Sequence, residues 1–155
     1  MSGLSVQQLA DAEEIRQLKA RYCRLLDAKS WDGWRSVFSE DCVLEWIVES
    51  GNVEPVEGAD QIVAFLRNKI MGRLTCHFCV GPEIEFTGPD SAVATWGAAF
   101  VHAGGVRRGY GHYRDHYRRV RGTWLIQRYR YDPLWVEVGS PAGVQVIPGF
   151  IAGGT

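Results

Sequence analysis

Ile15, Leu18, Tyr22, Leu25 and Leu26 recur at the three- and four-residue spacing of one helix face, so residues 5–28 read as an amphipathic helix. Asp11, Glu13 and Glu14 stand early in it and Arg21 and Arg24 late, as the helix dipole favours. Ser30 then caps a short second helix, with Trp31, Trp34, Val37 and Phe38 on one face. An extended stretch rich in β formers follows at 42–49, broken by Gly51 and Pro55. Residues 59–71 form a third helix whose buried side is Ile62, Val63, Phe65, Leu66 and Ile70. Beyond it the pattern is strand only, at 75–80, 83–87, 91–102, 106–120 and 123–138. Turn residues separate these runs: Gly81-Pro82, Gly88-Pro89-Asp90, Ala103-Gly104-Gly105 and Arg121-Gly122.

Helices first and a run of strands after them make an α+β domain over residues 1–155. The long helix must bury its stripe on one sheet face. Strongly twisted strands then curl around it as a cone, a strongly bent antiparallel sheet wrapped on three N-terminal helices, with an internal pocket. Residues 139–155 carry no charge yet hold Val144, Val146, Ile147, Phe150 and Ile151 among glycine and proline. Such a tail is expected over its own pocket mouth or against a neighbouring subunit, since a disordered tail would be polar.

Composition narrows the function. The chain of 155 residues is 46% hydrophobic and 23% charged, an ordinary globular balance. It has no apolar run long enough to span a bilayer and no basic, apolar leader at residues 1–14, so a cytoplasmic protein without a membrane role is expected. Cys23, Cys42, Cys76 and Cys79 read as small buried thiols, because the one Cys-x-x-Cys lies in a β-like run and has no second pair to complete a zinc site. No metal is expected, and no cofactor, since the glycines at 104, 105, 109 and 111 belong to a hairpin rather than to a phosphate-cradling loop before a helix.

Residues 1–60 hold 6 basic and 12 acidic side chains, whereas 61–155 hold 11 and 6. Arginines 107, 108, 114, 118, 119, 121, 128 and 130 interleave with tyrosines, as in stacking platforms for nucleic acid. The slightly acidic chain as a whole, and Asp115 within the stretch, favour instead a solvated or subunit-facing surface, with no nucleic-acid partner and a homodimer or homotrimer as the assembly. The acidic and basic halves could pair across that interface.

The order of elements, with the segments EEIRQLKARYCRLLDAKSWDGWRSVFSEDCVLEW, VEGADQIVAFL, His77 with its strand, and YRDHYRRVRGTWLIQRYRYDPLW, resembles the SnoaL-like branch of the nuclear-transport-factor-2-like superfamily. Within it the look is nearest to the scytalone dehydratases, bile-acid 7α-dehydratases and hexachlorocyclohexane dehydrochlorinases. The superfamily hosts dehydratases, isomerases, cyclases, epoxide hydrolases and non-enzymes, so the resemblance implies a fold more than a reaction.

The resemblance implies a catalytic Asp near the end of the first helix and a His on the strand after the third, here Asp27 and His77. It implies a polar cavity residue five positions before that Asp, here Tyr22, and a second on the long middle strands, for which His112 is the nearest candidate. An arginine on the last long strand, Arg128 or Arg130, would match the dehydrochlorinases, and Tyr129 between them faces the opposite way. A carboxylate holding one imidazole nitrogen fixes the tautomer and makes the other nitrogen a base. Tyr22 can steady an oxyanion or simply fill the core. His112 shares a strand face with His116, while the opposite face carries Gly109 and Gly111, whose lack of side chains could let a ligand approach. His102 and His116 are expected at the surface or an interface. Trp31, Trp46, Phe78, Phe100 and Tyr129 are the candidate pocket walls. The expected function is a cofactor-free lyase eliminating water or a similar group from a small hydrophobic cyclic molecule. The alternatives are an isomerase using the same base, or a non-catalytic domain binding a small molecule or a protein.

Overall fold

The computed structural model describes residues 3–47, 51–102, 107–140 and 143–148. They form helices α1 (Val6–Asp27), α2 (Trp31–Arg35) and α3 (Ala59–Ile70) and strands β1 (Phe38–Ile47), β2 (Val53–Glu57), β3 (Thr75–Gly88), β4 (Ser91–His102), β5 (Arg107–Val120), β6 (Thr123–Ser140) and β7 (Gly143–Pro148). The sheet runs β2-β1-β6-β5-β4-β3, with β7 added on β6. Every pairing is antiparallel except that of β1 with β6. Three helices packed on this curved, mostly antiparallel sheet make the expected α+β fold. Among the described residues no helix is long and apolar enough to cross a membrane.

A capping box starts α1: the Gln8 backbone N–H donates to the Ser5 hydroxyl (3.1 Å) and the Ser5 N–H to the Gln8 side-chain oxygen (2.9 Å). Its stripe of Ile15, Leu18, Tyr22 and Leu26 is buried to 2% exposure or less. Each such side chain removed from water contributes roughly 1.5–3 kcal/mol to holding the helix on the sheet. Alternation sets the facing surface, with Ala92, Ala94 and Trp96 of β4 and Tyr113, Asp115 and Tyr117 of β5 buried; in β6 Trp124, Ile126 and Tyr129 are buried, the phase changing at the register shift between Ile126 and Arg128.

Four features depart from the sequence reading. The second helix stops at Arg35, so Val37 precedes and Phe38 opens β1, though both are buried. Gly81-Pro82 does not separate two strands; β3 continues through it with a register shift between Val80 and Glu83, so the pair bends one long strand. Residues 53–57, taken as broken by Pro55, form edge strand β2, where Pro55 pairs with Glu45 and a missing N–H is tolerated. The tail supplies β7, in register with β6 at Val138 and Gln145. Residues 149–155, the end of the tail expected over the pocket mouth or a neighbouring subunit, lie outside the described residues.

The acidic and basic halves meet within one chain. Arg118 pairs with Asp41 at 2.6 Å, Arg119 with Asp11 at 2.6 Å and Arg128 with Glu45 at 2.5 Å. Within the basic stretch Arg114, Arg118, Arg119, Arg128 and Arg130 each pair with a carboxylate of this chain.

The glycines of β5 admit protein atoms rather than a ligand. A side chain at Gly109 would overlap the Phe100 ring, which lies across it, and one at Gly111 would overlap the Asp132 carbonyl. Backbone cannot swing aside as a ring can. Gly111→Ala is therefore expected to lower the unfolding free energy by about 1–3 kcal/mol, as overpacking does, in a urea titration. An unchanged midpoint would mean that β6 yields freely at this point.

Candidate active site

Helix α1 ends because Ala28 is followed by Lys29 in the left-handed region, at φ 56°. Asp27, its last residue, lies one turn beyond Cys23, whose sulfur is 3.5 Å from that of Cys79, on the face of α1 that meets β3. Its Oδ1 accepts from His77 Nδ1 at 2.6 Å and from the Thr75 hydroxyl at 2.9 Å, and its Oδ2 accepts from the His77 backbone N–H at 2.8 Å. Lys29 Nζ donates to the Thr75 hydroxyl at 2.6 Å, fixing the rotor that points at the carboxylate. The side chains are 9% exposed for His77 and 21% for Asp27.

Burial works to raise the Asp27 carboxyl, but the hydrogen bonds from the His77 ring and backbone, its charge and the Thr75 hydroxyl outweigh it and hold Asp27 below the usual carboxylate range. An ionised carboxylate can only accept, so the shared proton sits on Nδ1. In the neutral imidazole Nε2 then carries the lone pair, on a ring that lines a cavity of about 530 Å³.

The cavity lies between α1, α3 and the sheet. Tyr22, Leu26, Leu66 and Ile70 line it from the helices, and Trp46, Phe100, His102, Tyr113, Tyr129 and Tyr131 from the strands. Burial holds the phenols of Tyr22, Tyr113 and Tyr129 well above their ordinary value, so they remain donors. Tyr22 packs against Trp34, Phe38, Tyr113 and Tyr129 with ring centroids 5.4–6.0 Å apart. It therefore serves core and cavity wall together. The Tyr131 hydroxyl and His102 Nδ1 are buried with no hydrogen-bond partner among the described residues. Each such atom costs on the order of 1–3 kcal/mol unless a ligand or water meets it.

His102, expected at the surface, is the residue that sequence reasoning missed. Its ring is 6.1 Å from His77 and 5.0 Å from Phe100. Burial, with the charges of His77, Arg107, Arg73 and Lys29, lowers it to about 4. A neutral imidazole at pH 7 can orient a substrate by hydrogen bonding but has no stored proton to give. In a proton NMR titration His102 is expected to stay neutral to well below pH 6, and Arg107→Gln to move its midpoint upward. A midpoint at the ordinary histidine value would place the ring in solvent.

Several expected site residues lie elsewhere. His112 is exposed on the outer face of β5, because the phase that buries Tyr113, Asp115 and Tyr117 turns even-numbered positions outward. Phe78 is 52% exposed, since neighbours in a strand face opposite ways and His77 takes the inside. Trp31 stacks edge-on against Trp34 at 6.2 Å and does not line the cavity. Trp46, Phe100 and Tyr129 do line it. Arg128 and Arg130 flank Tyr129 on the other face, paired with Glu45 and Asp132. Cys76 is exposed rather than buried, while Cys79 is half-buried with its sulfur 3.5 Å from that of buried Cys23. Among the described residues no group of three or more His, Cys, Asp or Glu side chains could hold a metal ion.

A family model described as a SnoaL-like domain matches residues 7–130. A curated relative named Probable cyclase FGR4, from Gibberella zeae, is 26% identical over 139 residues, covering 81% of this chain and 93% of that protein. Among solved structures, a scytalone dehydratase-like protein from Novosphingobium aromaticivorans superposes with a TM-score of 0.76 at 18% identity, over 95% of this chain and 97% of its own. A hexachlorocyclohexane dehydrochlorinase, LinA-type3 from Novosphingobium barchaimii, gives 0.74 at 14% identity, over 86% and 93%. At these identities the structures speak for the fold.

Proposed function

This chain belongs to the SnoaL-like domain family, and we propose that it is a cofactor-free lyase that eliminates water, or a comparable small leaving group, from a cyclic substrate. The observation that carries the reading is the Asp27–His77 bond of 2.6 Å on the wall of a cavity of about 530 Å³. The names borne by the relatives, a cyclase, a dehydratase-like protein and a dehydrochlorinase, fit proton removal from carbon as the common step.

His77 Nε2 takes a proton from carbon, and Asp27 stabilises the imidazolium that forms. Charge developing on a substrate oxygen is met by phenol donors, of which Tyr131 is unengaged and Tyr22 and Tyr113 stand behind it. The Nε2 proton then passes to the departing oxygen as its bond to carbon breaks. A C–H and a C–O bond are lost, a C=C bond is made, water leaves and His77 returns to its starting state. His102, neutral, orients the leaving group.

Incubation with cyclic β-hydroxy ketones and their simple ketone counterparts in D₂O, followed by NMR and mass spectrometry, tests this. Deuterium entering at the carbon next to the carbonyl, with loss of water from the hydroxy ketones, is the expected result. Rearranged product without loss of water would mark an isomerase using the same base. Binding without any exchange would leave a non-catalytic pocket and end the lyase reading.

A further inference from the structure

The mouth of the cavity is cationic. Lys69 near the end of α3, Arg73 just beyond it and Arg107 at the start of β5 line the same cavity as His77, and all three are exposed. Arg35, Arg114, Arg118, Arg119, Arg128 and Arg130 each have a carboxylate within 4 Å. Arg73, Arg107 and Lys69 have none among the described residues. Glu45, the carboxylate that shares the cavity lining, is held by Arg128 at 2.5 Å and Arg130 at 3.6 Å. Lys69 lies over the Phe65 and Trp46 rings, 5.3 and 5.9 Å from their centroids, so its stem is held against the apolar wall.

Unpaired cations at the rim of a low-dielectric hollow concentrate their field inside it. That field reaches the interior, because Arg107 and Arg73 are among the charges that keep His102 neutral. A neutral substrate would leave these groups without a counter-charge, whereas a planar carboxylate suits guanidinium geometry.

We propose that the ligand is an apolar ring system bearing a carboxylate, its ring inside against Trp46 and Phe100 and its carboxylate held at the mouth by Arg73 and Arg107, with Lys69 adding charge. This rests on reading the cavity as the substrate site and narrows the substrate class to a cyclic carboxylic acid.

The probes are 2-naphthoate and 2-naphthalenemethanol, titrated calorimetrically into the full chain, the Arg73→Gln/Arg107→Gln double variant and His77→Ala. The carboxylate is expected to bind the unaltered protein at least about tenfold more tightly than the alcohol, as charge-assisted hydrogen bonds allow. The double variant should bring it down to the alcohol's affinity while alcohol binding stays unchanged, which also shows that the variant is folded. His77→Ala should keep the carboxylate preference. Equal affinities in the unaltered protein, a preference that survives in the double variant, or no binding of either probe would overturn the proposal. A carboxylate preference without His77-dependent exchange would keep the anion site and remove only the lyase reading.

Discussion

In the His77→Ala protein, exchange of deuterium into a bound substrate is expected to fall by about 10³-fold, within the 10²–10⁴-fold that a positioned general base supplies. The fold should survive, because His77 sits at the cavity wall and its loss enlarges a space already present. Asp27→Asn should fall comparably for a different reason. A carboxamide can present its N–H₂ to Nδ1, which would move the ring proton to Nε2 and leave no lone pair toward the substrate. Thr75→Val removes one of three donors to Asp27 and is expected to lower the rate far less. Exchange that persists in His77→Ala at the unaltered rate would transfer the base to another group and sink the dyad mechanism. A pH series adds an independent check. Asp27 titrates below its ordinary value, so its contribution to folding is fully present above about pH 4 and is lost as pH falls through the lowered value. Asp27→Asn should therefore lower stability near neutrality, where that contribution is complete, and the gap to the unaltered protein should close as pH falls through the acid range.

Much of the fold was legible because its elements obey strong periodicities. The α1 stripe was read from residue spacing and the positions of β4, β5 and β6 from their turn residues, and β2 was missed because a proline on an edge strand looks the same in sequence as a breaker. The Asp27–His77 pair came from a family resemblance. Asp27 lies off the Ile15–Leu26 stripe but shares the face of Lys19 and Cys23 at four-residue spacing, and that face meets β3, where the Cys23 and Cys79 sulfurs are 3.5 Å apart. His102 carried a usable signal. The Gly88-Pro89-Asp90 turn makes β3 and β4 a hairpin that brings His77 and His102 to the same end of the sheet, where, after two register shifts, His77 faces Phe100 and His102 lies two residues further on the same face. His112 failed on parity: the inward phase of β5 belongs to Tyr113 and Asp115, so a neighbour of Tyr113 points out. Phe78 failed in the same way beside His77.

Lys19→Met should be the most destabilising single change in the chain, lowering the unfolding free energy by about 3–5 kcal/mol in a denaturant titration. The pair that it breaks was invisible in sequence, because a lysine one helical turn before Tyr22 and an aspartate in a basic strand each look like surface residues. In the structure both side chains are 0% exposed, with Lys19 Nζ 2.8 Å from Asp115 Oδ2. The Tyr117 hydroxyl donates to the same oxygen at 2.6 Å and itself accepts from the Trp96 indole at 3.0 Å. The ammonium also lies over the Tyr113 and Tyr22 rings, 3.7 and 4.4 Å from their centroids, directly behind two phenols of the cavity wall. Removing the cation leaves a buried carboxylate with one hydroxyl donor, and that penalty, rather than the loss of attraction, sets the size of the effect. A loss of this size is a large share of the roughly 5–15 kcal/mol that holds a domain folded. The double variant Lys19→Met/Asp115→Leu should recover most of it, since the uncompensated charge is gone and both replacements suit an apolar site. Recovery identifies charge burial as the cause, whereas a double variant as unstable as the sum of the two singles would show that packing around Tyr22 and Tyr113 was what Lys19 supplied.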